Sequence, residues 1–269
     1  PLPYTTEVVP LDFRDLSKSS MNPSPLPRLI DLGLPLGPEH ECPYLPDRMT
    51  RERAFMASDL PPGIYERLLE FGWRRTGNVI YKPFCEGCAE CVPQRIPTFK
   101  FVPSRWERRV LARNRDVRMT EGPLQPDRGR FDLFVRYQQS RHTGDMCTEW
   151  HEFAESLYAS PLDTRELAFF VGERLVVAAI VDVEPKALSA VYTYFDPEES
   201  RRGLGTFAIL KSVEYARLRG IEHYYLGYYI AGCRRMNYKA RFQPSEYGNM
   251  LGGWQRMERP DNPTPLEQC

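Results

Sequence analysis

Three groups of residues in this chain have types and spacings that could do chemistry. Cys85, Cys88 and Cys91 stand at Cys-x-x-Cys-x-x-Cys spacing, with Gly87 between the first two and Pro83 and Pro93 on either side. A turn this tight can aim several thiolates at one point, which suits Zn²⁺ or a thiolate-bound iron–sulfur cluster. A closed zinc site needs a fourth ligand, and Cys42, close after His40, is the nearest candidate in sequence. The other reading is reduced thiols packed as small apolar groups, since the strong zinc signature is two separated Cys-x-x-Cys pairs.

The second group is Arg201-Arg202-Gly203-Leu204-Gly205, which places two cations and flexible backbone before an apolar-periodic run. Unpaired N–H groups and the dipole at such a helix start favour an anion, and a phosphate fits. The third is the run after Pro103-Ser104, where Glu107 stands three residues beyond Ser104 in a capping box. In the helix it opens, Arg105, Arg109 and Arg113 share one face, with Arg108 and Arg115 at its margins. On RNA such a row tracks phosphates and loses affinity as salt rises; the alternative is a solvated helix face.

The elements that position these groups follow from periodicity and punctuation. Prolines interrupt residues 1–47 and predict an extended arm with loops. Helices are expected at 51–56 and 62–71, then a strand up to the cysteines and a second from Arg95 to Val102. A Pro/Gly-rich linker at 121–130 suggests a domain boundary, with a helix from Phe131 to Arg141 after it. Residues 167–183 read as a hairpin, 188–195 as the next strand, 206–219 as a helix closed by Gly220, and 224–230 as a returning strand. The expected fold is therefore α/β with a mixed sheet. Its expected domains are 1–120, bearing the cysteines and the arginine helix, and 131–269.

The 36 Lys+Arg balance 36 Asp+Glu, but in blocks. Arg95–Arg141 holds 12 basic against 5 acidic residues, Asp145–Ser200 has 3 against 12, and Arg201–Arg256 returns to 10 against 3. Zero net charge can hide a basic face of the kind nucleic acid binds. Seven cysteines, three of them clustered, and no basic segment leading into an apolar run at the start argue against a disulfide framework and a secretory signal, and for reducing cytoplasm. No run of about 18 apolar residues predicts a membrane span.

Strand order and the 201–205 turn together resemble the acyl-CoA N-acyltransferase (GNAT) superfamily, in which the corresponding turn holds pyrophosphate. A more specific resemblance joins several segments in order: Cys-Pro-Tyr-Leu-Pro (42–46), Tyr-x-Pro-x-Cys-x-x-Cys-x-x-Cys-x-Pro-x-Arg-Ile (81–96), Pro-Ser-Arg (103–105), Arg-Asn-x-Asp (113–116), Tyr-x-x-x-Arg-His-x-Gly-x-Met (137–146), Ser-Ala-Val-Tyr-Thr-Tyr-Phe-Asp-Pro (189–197), Leu-Gly-Tyr-Tyr-Ile (226–230) and Met-x-Tyr-Lys (236–239). Together they resemble the bacterial aminoacyl-tRNA–protein transferases, in particular the aspartate/glutamate leucyltransferases of the N-end rule pathway, relatives of arginyl-tRNA–protein transferases. Two departures are Tyr229 where the family has tryptophan and Gly203 where it often has serine.

The resemblance implies a GNAT-like core, a smaller cysteine-bearing N-terminal domain, and leucyl transfer from tRNA to proteins beginning with Asp or Glu, marking them for degradation. No cofactor is required; Zn or Fe–S at Cys85, Cys88, Cys91 and Cys42 stays open, and a monomer is expected. Asp196 is expected to orient or deprotonate the attacking amine with Tyr192 or Tyr194, against the alternative of a turn Asp before Pro197. Arg141 is placed to hold the acceptor's carboxylate bidentately, with His142 beside it. Lys239 and Arg241 are alternative carboxylate or phosphate ligands. Arg105, Arg109, Arg113, Arg201 and Arg202 are expected on tRNA, with Tyr228 stacking on its terminal adenosine. Rival readings are an arginyl donor, a small-molecule N-acetyltransferase, and a metal-stapled RNA-binding module without catalysis.

Overall fold

The computed structural model describes residues 9–10, 33–141 and 149–256. Along the chain run β1 (Val9–Pro10), β2 (His40–Glu41), β3 (Met49–Thr50), β4 (Glu52–Met56), α1 (Ile64–Glu70), β5 (Arg74–Thr76), β6 (Val79–Pro83) and β7 (Val92–Pro97). They are followed by α2 (Arg105–Arg113), β8 (Val117–Pro123), α3 (Arg128–Arg141), α4 (Trp150–Phe153), β9 (Thr164–Val171), β10 (Arg174–Val183) and β11 (Ala187–Phe195). The rest comprises α5 (Leu204–Leu218), β12 (His223–Tyr229), α6 (Arg234–Asn237), β13 (Glu246–Gly248) and β14 (Trp254–Arg256). The mixed α/β class agrees with the sequence.

The chain forms two compact units. Among the described residues, one holds those from Thr98 to Tyr224, the other those up to Pro97 together with those from Tyr225. The division thus differs from the one expected at 121–130. The reason is local: Val117–Pro123 is a strand paired antiparallel with β9, Gly122 and Pro123 included, so the supposed linker is partly sheet. The α2 helix accordingly packs on α5.

In the 98–224 unit, β8, β9, β10 and β11 form an antiparallel meander, with Val177 opposite Phe195 and Ala178 opposite Tyr194. Val176–Val181 is buried without alternation because both faces are covered. Ala178, Ile180 and Tyr194 meet Phe131, Leu133 and Phe134 of α3, while Phe169 meets Phe207 of α5 edge-on at 5.7 Å between centroids. The capping box is present: the Glu107 carboxylate accepts the Ser104 N–H at 2.6 Å.

In the other unit, β6 pairs antiparallel with β4 and β5, β1 runs parallel to β4, and β14, β13, β7 and β12 follow one another in a sheet. The expected helix at 51–56 is strand β4. Its register against β6 puts Phe55 opposite Ile80, both fully buried, so tertiary pairing overrides a short helical pattern. The α1 helix buries Tyr65, Leu68 and Leu69. The strand expected over Arg95–Val102 is β7, which ends at Pro97 and gives way to a turn.

Candidate active site

β11 ends at Phe195, and the chain turns through Asp196-Pro197 into a short 3-10 segment, Pro197–Arg202, before α5. Gly203 has φ 67°, a left-handed conformation that an L side chain rarely adopts, and lets α5 start abruptly after it. A Cβ on Gly205 would come within 2.9 Å of the Phe195 ring, so that ring lies directly on the first turn of α5.

On Phe195 also converge residues of α3. Tyr137 meets the Phe195 ring edge-on at 4.9 Å, and meets Tyr192 of β11 edge-on at 6.4 Å. The Arg141 guanidinium carbon is 5.2 Å from the Phe195 centroid. Tyr137 and Arg141 are four apart on α3 and share a face. Arg141 is exposed, and Tyr137, Tyr192 and Phe195 are half-buried. Burial raises the Tyr137 phenol, partly offset by the charge of Arg141, so it stays a protonated donor at neutral pH. The α3 helix brings no carboxylate to Arg141 among the described residues. His142, expected beside it, lies outside the described residues.

Behind this patch runs a buried polar chain. Arg130 donates to both oxygens of Glu166, at 2.8 and 3.0 Å from Nε. Tyr158 donates to Glu166 at 2.8 Å, and the hydroxyls of Tyr158 and Tyr194 are 2.6 Å apart. Burial raises both phenols, reinforced at Tyr158 by neighbouring Tyr194 and Glu166. Tyr194 is fully buried, so it positions the strand that carries Tyr192 and Phe195 rather than touching a ligand. Asp196, 2% exposed, also has its carboxylate engaged: one oxygen accepts the Glu198 N–H at 3.1 Å, the other pairs with Arg174. This is the turn-holding arrangement that an Asp before Pro also offers.

The expected phosphate turn is similarly occupied. Arg202 makes two bonds to Asp116, at 2.8 and 2.9 Å, and one to Glu199 at 2.8 Å. Arg113 donates to the Arg201 carbonyl, so it braces this turn instead of standing free on the helix face. Arg105, Arg109 and Arg201 are exposed.

The other unit buries two of the expected site residues. Tyr228 is 3% exposed and donates to the Gly72 carbonyl at 2.6 Å, so it offers no stacking face. Lys239 is 6% exposed; its Nζ donates to the Tyr228 carbonyl at 2.7 Å, and burial followed by the charge of Arg74 pulls its pKa down to about 7. An aromatic strand and a lysine stem supplied enough apolar surface to be internalised. Arg241 is exposed.

Cys42, Cys85, Cys88 and Cys91 are free and half-buried. Arg48 donates to Cys88 Sγ at 3.3 Å, and Thr50 Oγ1 lies 3.2 Å from Cys85 Sγ. Burial pushes the Cys91 thiol up to about 12, with Cys85, Cys42 and Cys88 adding to it. Among the described residues no three His, Cys, Asp or Glu side chains gather as a metal-holding group.

Tyr137 and Phe195 were missed as site residues, although both lie inside quoted motifs. The available signal was the i, i+4 pairing of Tyr137 with Arg141.

A family profile described as arginine-tRNA-protein transferase, N terminus, matches residues 40–109, and its C-terminal counterpart matches 129–249. The chain is 41% identical over 219 residues to the aspartate/glutamate leucyltransferase of Stenotrophomonas maltophilia (strain K279a), covering 77% of this chain and 86% of that protein. This chain belongs to the aspartate/glutamate leucyltransferase family. The protein of that name from Chromohalobacter salexigens is 39% identical over 234 residues, covering 85% of this chain and 94% of the relative. Among solved structures, L-PGS from Bacillus licheniformis aligns with a TM-score of 0.40 at 9% identity, covering 65% of this chain and 53% of that one. As a member of the leucyltransferase family the chain is an aminoacyltransferase. Among the described residues no helix is long and apolar enough to cross a membrane.

Proposed function

We propose that this chain transfers leucine from leucyl-tRNA to the N-terminal amine of proteins beginning with Asp or Glu. The observation that carries the acceptor side is Arg141, held over Phe195 beside Tyr137. Its planar fork suits the acceptor's side-chain carboxylate, and the aromatic ring beneath limits how it can turn. Tyr137 and Tyr192 supply phenols next to the same position.

The reaction asks little beyond this. The donor is an ester, and the α-amine has a pKa of about 8, so a minority is neutral at pH 7. The amine lone pair attacks the ester carbonyl, the tetrahedral oxyanion collapses, and the ribose hydroxyl leaves with a proton as the amide forms. Holding the two reactants together and orienting donors toward the oxyanion lowers the barrier. The first turn of α5, under Phe195, is a dipolar environment for that charge. The same reading requires no cofactor, and it puts the cysteines to structural use. It also has the chain acting as a cytoplasmic monomer on charged tRNA.

Leucine is favoured over arginine as donor by the names of the relatives, whereas the family profile carries the arginyl name. Offering the protein leucyl-tRNA and arginyl-tRNA separately, with a peptide starting with Asp, decides this by the mass added. Addition of a leucyl residue supports the proposal; arginyl addition alone refutes it.

A further inference from the structure

The turn between β7 and α2 is held with unusual firmness for a segment whose tip faces solvent. Thr98 is fully buried; its N–H donates to the Glu222 carbonyl at 2.9 Å and its hydroxyl donates to the Ile221 carbonyl. Arg217 of α5 donates to the Thr98 carbonyl at 3.3 Å and to the Phe101 carbonyl at 2.8 Å, and Phe101 itself is in the core. Four bonds and a buried ring thus fix both ends of Thr98–Phe101. Its tip displays Phe99, 58% exposed, and Lys100, with Val102 71% exposed just beyond. One exposed apolar side chain needs no explanation, but an aromatic on a pinned tip among cations is a preorganised arrangement.

Cations follow closely in the sequence. Arg108 folds back to donate to the Pro103 carbonyl, next to Val102. Arg105 and Arg109 are exposed one turn apart on α2. From Thr98 to Arg113 the single acidic side chain is Glu107, buried in the helix cap. Among the described residues, Lys100, Arg105 and Arg109 have no ion-pair partner.

We infer that the Phe99–Lys100 tip is a nucleobase-stacking contact for RNA, with Arg105, Arg108 and Arg109 on the flanking phosphates. The inference rests on the reading that this chain uses a charged tRNA, and it adds a contact residue, Phe99, outside the arginine row. Nucleic acid presents a π face and phosphates together, which is what an aromatic tip beside an unpaired basic face matches. Stacking is sequence-tolerant and independent of ions, whereas phosphate contacts set the salt dependence, so the two parts separate experimentally.

The test is equilibrium binding of uncharged tRNA by the full chain across a salt series, for wild type, Phe99→Ala, Phe99→Trp and Arg105→Ala. Phe99→Ala should weaken binding about tenfold at every salt concentration with an unchanged slope, and Phe99→Trp should restore it. Arg105→Ala should lower the slope of log affinity against log salt by about one. Because Phe99 is exposed, its variants should melt with the wild type. Affinity within twofold for Phe99→Ala overturns the inference, as does a wild type that binds no tRNA. Phe99-dependent binding to anionic vesicles with none to tRNA overturns it in favour of a membrane surface. Phe99-dependent tRNA binding in a protein that transfers neither leucine nor arginine supports the inference while refuting the transferase reading.

Discussion

The guanidinium of Arg141, at the last residue of α3, sits 5.2 Å from the ring of Phe195, at the last residue of β11. Two elements that are 54 positions apart in sequence end at one place, and Tyr137 fixes the ring from its edge. A cation stacked this way keeps its N–H edge for a planar anion.

Replacing Arg141 by Ala should therefore reduce kcat/KM for acidic-first peptides about a hundredfold, the scale on which loss of a charge-assisted bidentate contact falls. Arg141→Lys should recover little, because an ammonium has no fork. Steady-state kinetics against peptide concentration provide the check, and near-wild-type kinetics in both variants would remove Arg141 from the acceptor site.

Asp196 gives a sharper contrast. As a turn residue, Asp196→Asn keeps an oxygen for the Glu198 N–H and loses the charge toward Arg174. That variant should retain most of its transfer activity with the melting temperature lowered by a few degrees at most, since an ion pair to a half-exposed arginine contributes about 1 kcal/mol or less. A drop of several orders of magnitude in kcat at unchanged stability would mean that the carboxylate acts as a base after all.

Glu166 is 3% exposed and holds both Arg130 and Tyr158. Glu166→Ala leaves Arg130 with Asp127 and Tyr158 with Tyr194 but removes their shared buried acceptor, and should destabilise the protein by about 2 kcal/mol. Tyr194→Phe removes one hydroxyl from the same chain and should cost about 1 kcal/mol. Urea titrations compare the two; equal small effects would show that the chain contributes little.

Lys239 makes stability depend on pH with a sign that can be worked out. Its folded pKa of about 7 lies below the usual lysine value, so between the two the unfolded chain binds the extra proton. Stability should rise from pH 7 to pH 8.5 on account of this residue, and its contribution is lost as pH falls toward 7. Lys239→Met should flatten that slope. The window stops there because the raised Cys91 thiol acts in the opposite direction at higher pH. An identical slope in the variant would contradict the assignment.

Much of the proposed acceptor site was legible in the sequence, and the reasons are physical. Arg141 closes a helix whose length the apolar spacing shows, and strand 188–195 has an uninterrupted β pattern. The surroundings of Asp196, Tyr228 and Lys239 were not legible, because each depends on tertiary partners: Arg174, the Gly72 carbonyl and the Tyr228 carbonyl lie 22, 156 and 11 residues away in sequence. Strand β4 was misread as a helix because its short run of mixed residues takes its conformation from pairing with β6. The sheet edge at 117–123 was hidden by Gly122 and Pro123, which read as loop when their partner strand is unknown.

The measurement that bears most directly on the whole account is the initial rate of leucine transfer from leucyl-tRNA to three peptides differing only in their first residue: Asp, Glu or Ala. Transfer to the Asp and Glu peptides with little to the Ala peptide, and loss of that preference in Arg141→Ala, is the predicted result. Equal labelling of all three by the wild type, or an undiminished preference without Arg141, would contradict it.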